Sequence, residues 1–257
     1  MSFAGRAVVV TGGAGGLGEA TVRRLHQAGA AVVIADLADD KGKALAADLG
    51  TSAAYVHTDV LDDDSVAAAI DRATELGEFR YAIIAHGSFG VAEKIVKRDG
   101  EPASIAEFKK TIDLYLTGTY NVLRLAAARI AALSPVSEDG ERGAVVMTAS
   151  IAGFEGQMGQ SAYSSAKAGV IGLTLVAARD LAACGIRVNT IAPGTIRTPL
   201  MELAGEELLQ KFASGVPFPK RLGNPTEYAA LAQHLLENSY VNGEVVRMDG
   251  AQRFQPK

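Results

Sequence analysis

The chain is predicted to fold as a single doubly wound α/β domain spanning residues 1–257, a parallel sheet with helices on both faces. Three observations predict it. Short apolar runs alternate with longer helical patterns along the whole chain. Several runs, such as Ala7-Val8-Val9-Val10 and Ala144-Val145-Val146-Met147, have no polar face, as strands buried on both sides require. The first run also passes through a glycine-rich turn directly into a helical pattern, an arrangement suited to receiving a pyrophosphate. With 257 residues and no break in composition, one large domain is favoured over two small ones.

Residues 7–10 form the first strand candidate and lead into Thr11-Gly12-Gly13-Ala14-Gly15-Gly16-Leu17-Gly18, with a helix predicted over 18–27. The glycines let the backbone turn tightly and approach a phosphate, whose charge the free amides of the helix N-terminus then meet. The second strand, 31–35, ends at Asp36 and Leu37. A carboxylate there is placed to accept hydrogen bonds from an adenosine ribose and to repel a 2′-phosphate, which favours NAD over NADP. The competing reading is a structural glycine turn with Asp36 capping the next helix, predicted over 40–49. The third strand, 53–57, runs into Thr58-Asp59-Val60, where Asp59 either accepts from the adenine amino group or caps the helix at 63–76.

The fourth strand, 81–85, is followed by His86-Gly87, a connection to Pro102, and one long helix over 104–133. The fifth, 144–148, ends in Thr148-Ala149-Ser150, and a helix over 162–183 follows. On that helix Tyr163 and Lys167 stand four residues apart, so their side chains share a face. A phenol titrates at about 10 and is a poor acid or base near neutrality, but a neighbouring cation lowers that value. Tyr163 and Lys167 thus form a candidate acid/base unit, with Ser150 to polarise a substrate oxygen. The alternative is that Tyr163 packs, Lys167 is solvated and Ser150 ends a strand. The sixth strand, 187–191, leads to Pro193-Gly194 and Thr198, which either lies in the site or caps a helix beginning near Pro199. A helix over 226–237 and a strand over 245–248 close the pattern.

A formal charge of −4 and a pI near 5.6 carry no nucleic-acid footprint. The single cysteine, Cys184, excludes an intrachain disulfide framework and a cysteine-based zinc cluster, and no metal site is expected. The N-terminal Met1-Ser2-Phe3-Ala4-Gly5-Arg6 lacks the apolar core of a signal peptide, and no run is long enough for a membrane span. A soluble, cytoplasmic protein with no membrane or nucleic-acid partner is the expectation.

Taken together, the T-G-x-x-x-G-x-G turn, Ser150, the Y-x-x-x-K pair Tyr163 and Lys167, and Pro193-Gly194 resemble the short-chain dehydrogenase/reductase family over essentially the whole chain, and so a Rossmann fold. The resemblance implies Ser150, Tyr163 and Lys167 as catalytic residues. It implies NAD held by Gly12, Gly16, Leu17, Gly18, Asp36, Leu37, Asp59, Val60, Gly87, Tyr163, Lys167, Pro193, Gly194 and Thr198. Within the family, Phe154-Glu155-Gly156-Gln157, Ala178-Arg179-Asp180-Leu181, Pro217-Phe218-Pro219 and Asn242-Gly243-Glu244-Val245 resemble the type 2 3-hydroxyacyl-CoA dehydrogenases. This implies oxidation of a 3-hydroxyacyl-CoA to its ketone, and a homotetramer. Reduction of a 3-oxoacyl carrier protein, a hydroxysteroid dehydrogenase activity, and a degenerate NAD-binding sensor or assembly subunit are the alternatives.

Two positions depart from the family. Ile84 and Tyr115 stand where relatives carry asparagines, the second of which helps hold a water linked to the lysine. His86 is the candidate for a replacement relay, since an ordinary histidine exchanges protons near neutrality; the competing reading is a simply hydrogen-bonded histidine. For substrate, Gln157 and Gln160 are placed to contact a thioester carbonyl, and Met158, Leu203 and Phe212 to line an acyl pocket. Lys94, Lys97 and Arg98 either meet CoA phosphates or belong, with Glu93, Asp99 and Glu101, to a solvated charged loop.

Overall fold

The structure, a computed structural model, describes residues 3–88, 92–203 and 205–256. Seven parallel strands form one sheet in the order β3-β2-β1-β4-β5-β6-β7. They are β1 (Arg6–Thr11), β2 (Ala31–Asp36), β3 (Ala53–His57), β4 (Glu78–Ile84), β5 (Gly143–Thr148), β6 (Ile186–Pro193) and β7 (Val245–Met248). Because side chains alternate across a strand, Val9, Val33, Ala82 and Val145 feed one apolar layer while Val8, Val32, Ile83 and Val146 feed the other. The first layer is closed by α3 (Asp63–Leu76), α5 (Gly118–Ala131) and α6 (Ser161–Asp180). The second is closed by α1 (Gly16–Gln27), α2 (Asp39–Leu49) and α9 (Pro225–Glu237).

The chain builds β1 to β3 outward, then returns to lay β4 on the other side of β1, so the order reverses between these two strands. Helices on either side of such a reversal leave a crevice at the carboxyl ends of the strands. The register puts those ends level: Thr11 lies beside Ala35 and Ile84, Ile84 beside Met147, and Thr148 beside Ile191. Ser150, Asp36, His86 and Pro193 therefore arrive on one rim.

Three local features differ from the pattern. The helix expected over 104–133 is two helices, α4 (Ile105–Ile112) and α5, joined by a widened π turn at Asp113–Thr117. Apolar periodicity does not register this insertion, because both halves keep a helical pattern. α3 is capped by Asp62, whose carboxylate takes the Asp64 and Ser65 amides at 2.9 and 3.2 Å, and not by Asp59. After β6, α7 (Pro199–Glu202) is followed by an unanticipated α8 (Glu206–Ser214), a short helix that buries only Leu209 among its described residues. Its sequence signal is a pattern of only about two and a half turns.

Candidate active site

The glycine turn sits over the reversal point because no side chain fits there. Gly12 adopts φ +65°, and a Cβ on it would lie 2.5 Å from the His86 Cα. A Cβ on Gly18 would come within 2.0 Å of the Gly12 carbonyl oxygen, so the first turn of α1 rests directly on the loop. No side chain caps α1 at Gly15, which leaves the amides of Gly16, Leu17 and Gly18 facing the rim as an anion cradle.

Asp36 closes β2 against this cradle. One carboxylate oxygen accepts the Ala14 N–H at 2.9 Å and the other the Ala38 N–H at 2.9 Å. Each oxygen keeps lone-pair capacity for a hydroxyl donor. Helix α2 starts at Asp39 with no side-chain cap, so the reading of Asp36 as its cap is set aside. Leu37 is exposed beside it. Farther along the rim, Asp59 accepts the Leu61 N–H at 2.9 Å, and Val60 is buried with its carbonyl taken by the Asn121 amide at 2.9 Å. Asn121 was not singled out from the sequence; a buried asparagine in an otherwise apolar helix face was the available signal.

At the centre of the rim stand Ser150, Tyr163 and Lys167. Ser150 leaves β5 in extended conformation and its Oγ accepts the Ala152 N–H at 3.1 Å, starting a single 3₁₀ turn. Its hydroxyl is near enough to the Tyr163 phenol to favour the deprotonated form, an effect smaller than that of burial. Lys167, one turn along α6, is 3% exposed, and its Nζ donates to the Thr148 carbonyl at 2.7 Å. Thr148 is itself fixed, its hydroxyl bonded to the Ile84 carbonyl and the Tyr228 hydroxyl at 2.7 and 2.6 Å. Burial pushes Lys167 down to about 7.

The expectation that Lys167 brings the phenol toward neutrality is not met in the protein alone. Burial, and next the neighbouring Tyr115, push Tyr163 above the usual phenol value, against the smaller lowering by Ser150. The ammonium lies 5.9 Å from the Tyr163 ring centroid, with its hydrogen bond directed to Thr148. Tyr163 is accordingly a neutral phenol.

The relay reading of His86 is overturned. Its Nε2 lies 3.0 Å from the Leu114 carbonyl and its Nδ1 2.9 Å from the Thr11 hydroxyl. A carbonyl only accepts, so Nε2 carries the proton and Nδ1 accepts from Thr11. Burial and then the Lys167 charge push His86 down to about 4, out of the range in which a relay would work. Sign and size follow. Unfolded chain binds a proton at about 6.5 that the folded chain refuses until about 4. Stability from this group is thus full above pH 6.5 and declines by about 3 kcal/mol as pH falls to 4. His86→Asn, in urea unfolding at pH 7 and pH 4, is expected to lose about 3 kcal/mol less than wild type over that interval; equal losses would remove His86 as the acid-sensitive group.

The remaining sites are met unevenly. Pro193 ends β6, and Gly194 donates its N–H to the Met248 carbonyl at 2.9 Å. Gly87 follows His86 on the rim, against the Tyr115 ring. Thr198 caps α7 by accepting the Met201 N–H at 3.2 Å, and its side chain lies against Gly16. Gln157 donates to the Gln255 carbonyl at 3.1 Å, while Gln160 Oε1 and the Ser164 hydroxyl are each buried without a hydrogen-bond partner among the described residues. Of the side chains expected to line an acyl pocket, Met158 and Leu203 are exposed, and Phe212 packs on Phe254 with ring centroids 6.5 Å apart. A short apolar helix pattern does not say which side its neighbours will cover. Of the loop cations, Lys97 pairs with Glu93 at 3.2 Å, and Lys94 and Arg98 are exposed; residues 89–91 of that connection lie outside the described residues.

A family model described as enoyl-(acyl carrier protein) reductase matches residues 12–251. The chain is 44% identical to the human 3-hydroxyacyl-CoA dehydrogenase type-2 over 258 residues, covering 99% of this chain and 98% of the relative. It is 41% identical to the cis-4-hydroxycyclohexanecarboxylate dehydrogenase of Sinomonas cyclohexanicum, covering 97% of each. The crystal structure of 3-hydroxyacyl-CoA dehydrogenase type-2 from Mycobacterium avium superposes with a TM-score of 0.97 at 66% identity, covering 99% of this chain and 98% of that one. In sequence along its length and in fold, the chain belongs to the short-chain dehydrogenase/reductase family.

Proposed function

We propose that this oxidoreductase interconverts a 3-hydroxyacyl-CoA and the corresponding 3-oxoacyl-CoA with NAD(H), using Ser150, Tyr163 and Lys167. The observation that carries the reading is the placement of these three side chains on one rim with the glycine cradle and Asp36. The substrate is taken from the names of the full-length relatives. Dehydrogenases of this type use NAD(H), and the residues present fit it: the Gly12 to Gly18 turn and the free α1 amides suit a pyrophosphate, and Asp36 a ribose diol. A carboxylate at that position disfavours the extra phosphate of NADPH, and with it the carrier-protein reductase reading.

Nicotinamide supplies or accepts the hydride; the protein positions and protonates. Ser150 donates a hydrogen bond to the reacting oxygen. Tyr163, neutral in the free protein, gives its proton to that oxygen when a ketone is reduced; in the oxidative direction it must first lose its own proton to solvent before it can accept the one from the alcohol. Lys167 supplies positive charge that favours the deprotonated phenol. Exposed Phe108, Tyr120, Leu175 and Val176 on α4, α5 and α6 support self-association as a homotetramer. Among the described residues no helix is long and apolar enough to cross a membrane; a lone Cys184 fits the cytoplasm.

The test is loss of NADH absorbance with acetoacetyl-CoA, run beside NADPH, a 3-oxoacyl carrier protein and a ketosteroid, in wild type and Asp36→Ala. Wild type is expected to prefer NADH and the CoA ester. Asp36→Ala is expected to weaken NADH by about tenfold, the worth of a charge-assisted hydrogen bond, and to narrow the preference over NADPH. A wild type that prefers NADPH, or turns over only the carrier-protein thioester, would reject the proposal.

A further inference from the structure

The chain between α4 and α5 widens into a π turn where it passes Lys167 and Tyr163. Such single turns concentrate at functional positions because they free a carbonyl and redirect a side chain. Here the Leu114 carbonyl takes the His86 Nε2 proton, and the next residue, Tyr115, is delivered between the two candidate catalytic side chains. The Tyr115 hydroxyl is fully used by Ser88, donating to its carbonyl and accepting its N–H, the latter at 3.0 Å. The ring does something different. Lys167 Nζ lies 4.6 Å from its centroid, closer than the 5.9 Å to the Tyr163 ring. Tyr163 meets the same ring in a T-shaped contact, centroids 5.0 Å apart and planes at 82°.

Lys167 has little else to hold a charge. Among the described residues its hydrogen bond goes to the Thr148 carbonyl and no carboxylate pairs with it. The titratable groups that face it are Tyr163 on its own helix, Tyr115 on the π turn, and His86 after β4, none of them an anion at neutral pH. An aromatic face within about 6 Å is attractive to an ammonium, and more so in a desolvated site.

We propose that Tyr115 is a positioning residue for Lys167, its ring face and not its hydroxyl holding the ammonium charged beside Tyr163. The proposal rests on the reading of Ser150, Tyr163 and Lys167 given above.

Three variants separate face from hydroxyl: Tyr115→Phe keeps the ring, while Tyr115→Leu and Tyr115→Met remove it and differ enough in shape that one survives a folding defect of the other. The first readout needs no turnover. The rate of Lys167 acetylation by trace acetic anhydride, followed by mass spectrometry in the free protein across pH, gives the midpoint at which the ammonium loses its proton. Tyr115→Phe is expected to keep the wild-type midpoint, and Leu and Met to lower it by about one pH unit. The second readout is acetoacetyl-CoA reduction across pH, where Leu and Met are expected to lose about tenfold in kcat at neutral pH with KM held within about twofold, and Phe to stay near wild type. An unchanged midpoint in Leu and Met overturns the proposal. So does a Phe variant that shifts as far as Leu, which would assign the effect to the Ser88 tether. A wild type without turnover rejects the catalytic reading instead, and the acetylation midpoints still decide on Tyr115.

Discussion

Tyr163→Phe is expected to reduce acetoacetyl-CoA about 10²- to 10⁴-fold more slowly than wild type while binding NADH with unchanged affinity. The reason lies in what the substitution leaves behind. The ring is held by its T-shaped contact with Tyr115 at 5.0 Å and by α6, neither of which involves the hydroxyl. Ser150 keeps its own hydrogen bond to the Ala152 amide whether or not the phenol oxygen is there. Removing it therefore takes away a transferable proton with little disturbance of packing. Steady-state kcat, paired with NADH fluorescence titration, checks both halves of the statement. A kcat within about threefold of wild type would take Tyr163 out of the proton-transfer role.

Gly18→Ala is expected to lose NADH affinity by about 5- to 150-fold, the range corresponding to about 1–3 kcal/mol of overpacking strain. The added Cβ would sit 2.0 Å from the Gly12 carbonyl oxygen and 2.8 Å from the Gly13 Cα. These are backbone atoms of the turn itself, so relief requires α1 to move away from the loop whose amides it presents. The cradle would open while the sheet beneath it, built from β1, β2 and β4, stays in place. Isothermal titration with NADH, beside circular dichroism to establish that the domain is folded, measures this. Wild-type affinity in a folded Gly18→Ala protein would show that close packing of α1 on the turn does not shape the cofactor site.

The parallel sheet and the position of its rim were legible because buried strands are written as β-branched runs of fixed length, and each strand candidate falls within two or three residues of its observed bounds. The glycine turn was legible because only glycine tolerates the approach of Gly12 to His86 and of Gly18 to Gly12. The Tyr163 and Lys167 pairing was legible from helical geometry alone. His86 was misread because a histidine's ordinary value was assumed for a ring that is buried and bonded at both nitrogens, to groups 75 and 28 residues away in sequence. The surroundings of Met158, Leu203 and Phe212 were not legible, because Met158 lies in a loop, Leu203 ends the four-residue α7 and Phe212 sits on the short α8, and local pattern does not specify what packs beside such segments.

Local sequence thus determined the order of strands and helices, the cradle at the first turn, and which side chains share a face of α6, since each depends on contacts within a few residues or on a repeating pattern. The electrostatic state of the site was decided by tertiary structure. Thr148 from β5, Tyr115 from the π turn and His86 from the end of β4 converge on Lys167 from distant parts of the chain, and the water they exclude is what pushes the lysine down and the tyrosine up. Desolvation depends on everything packed around a group, so no spacing of residues along the chain encodes it.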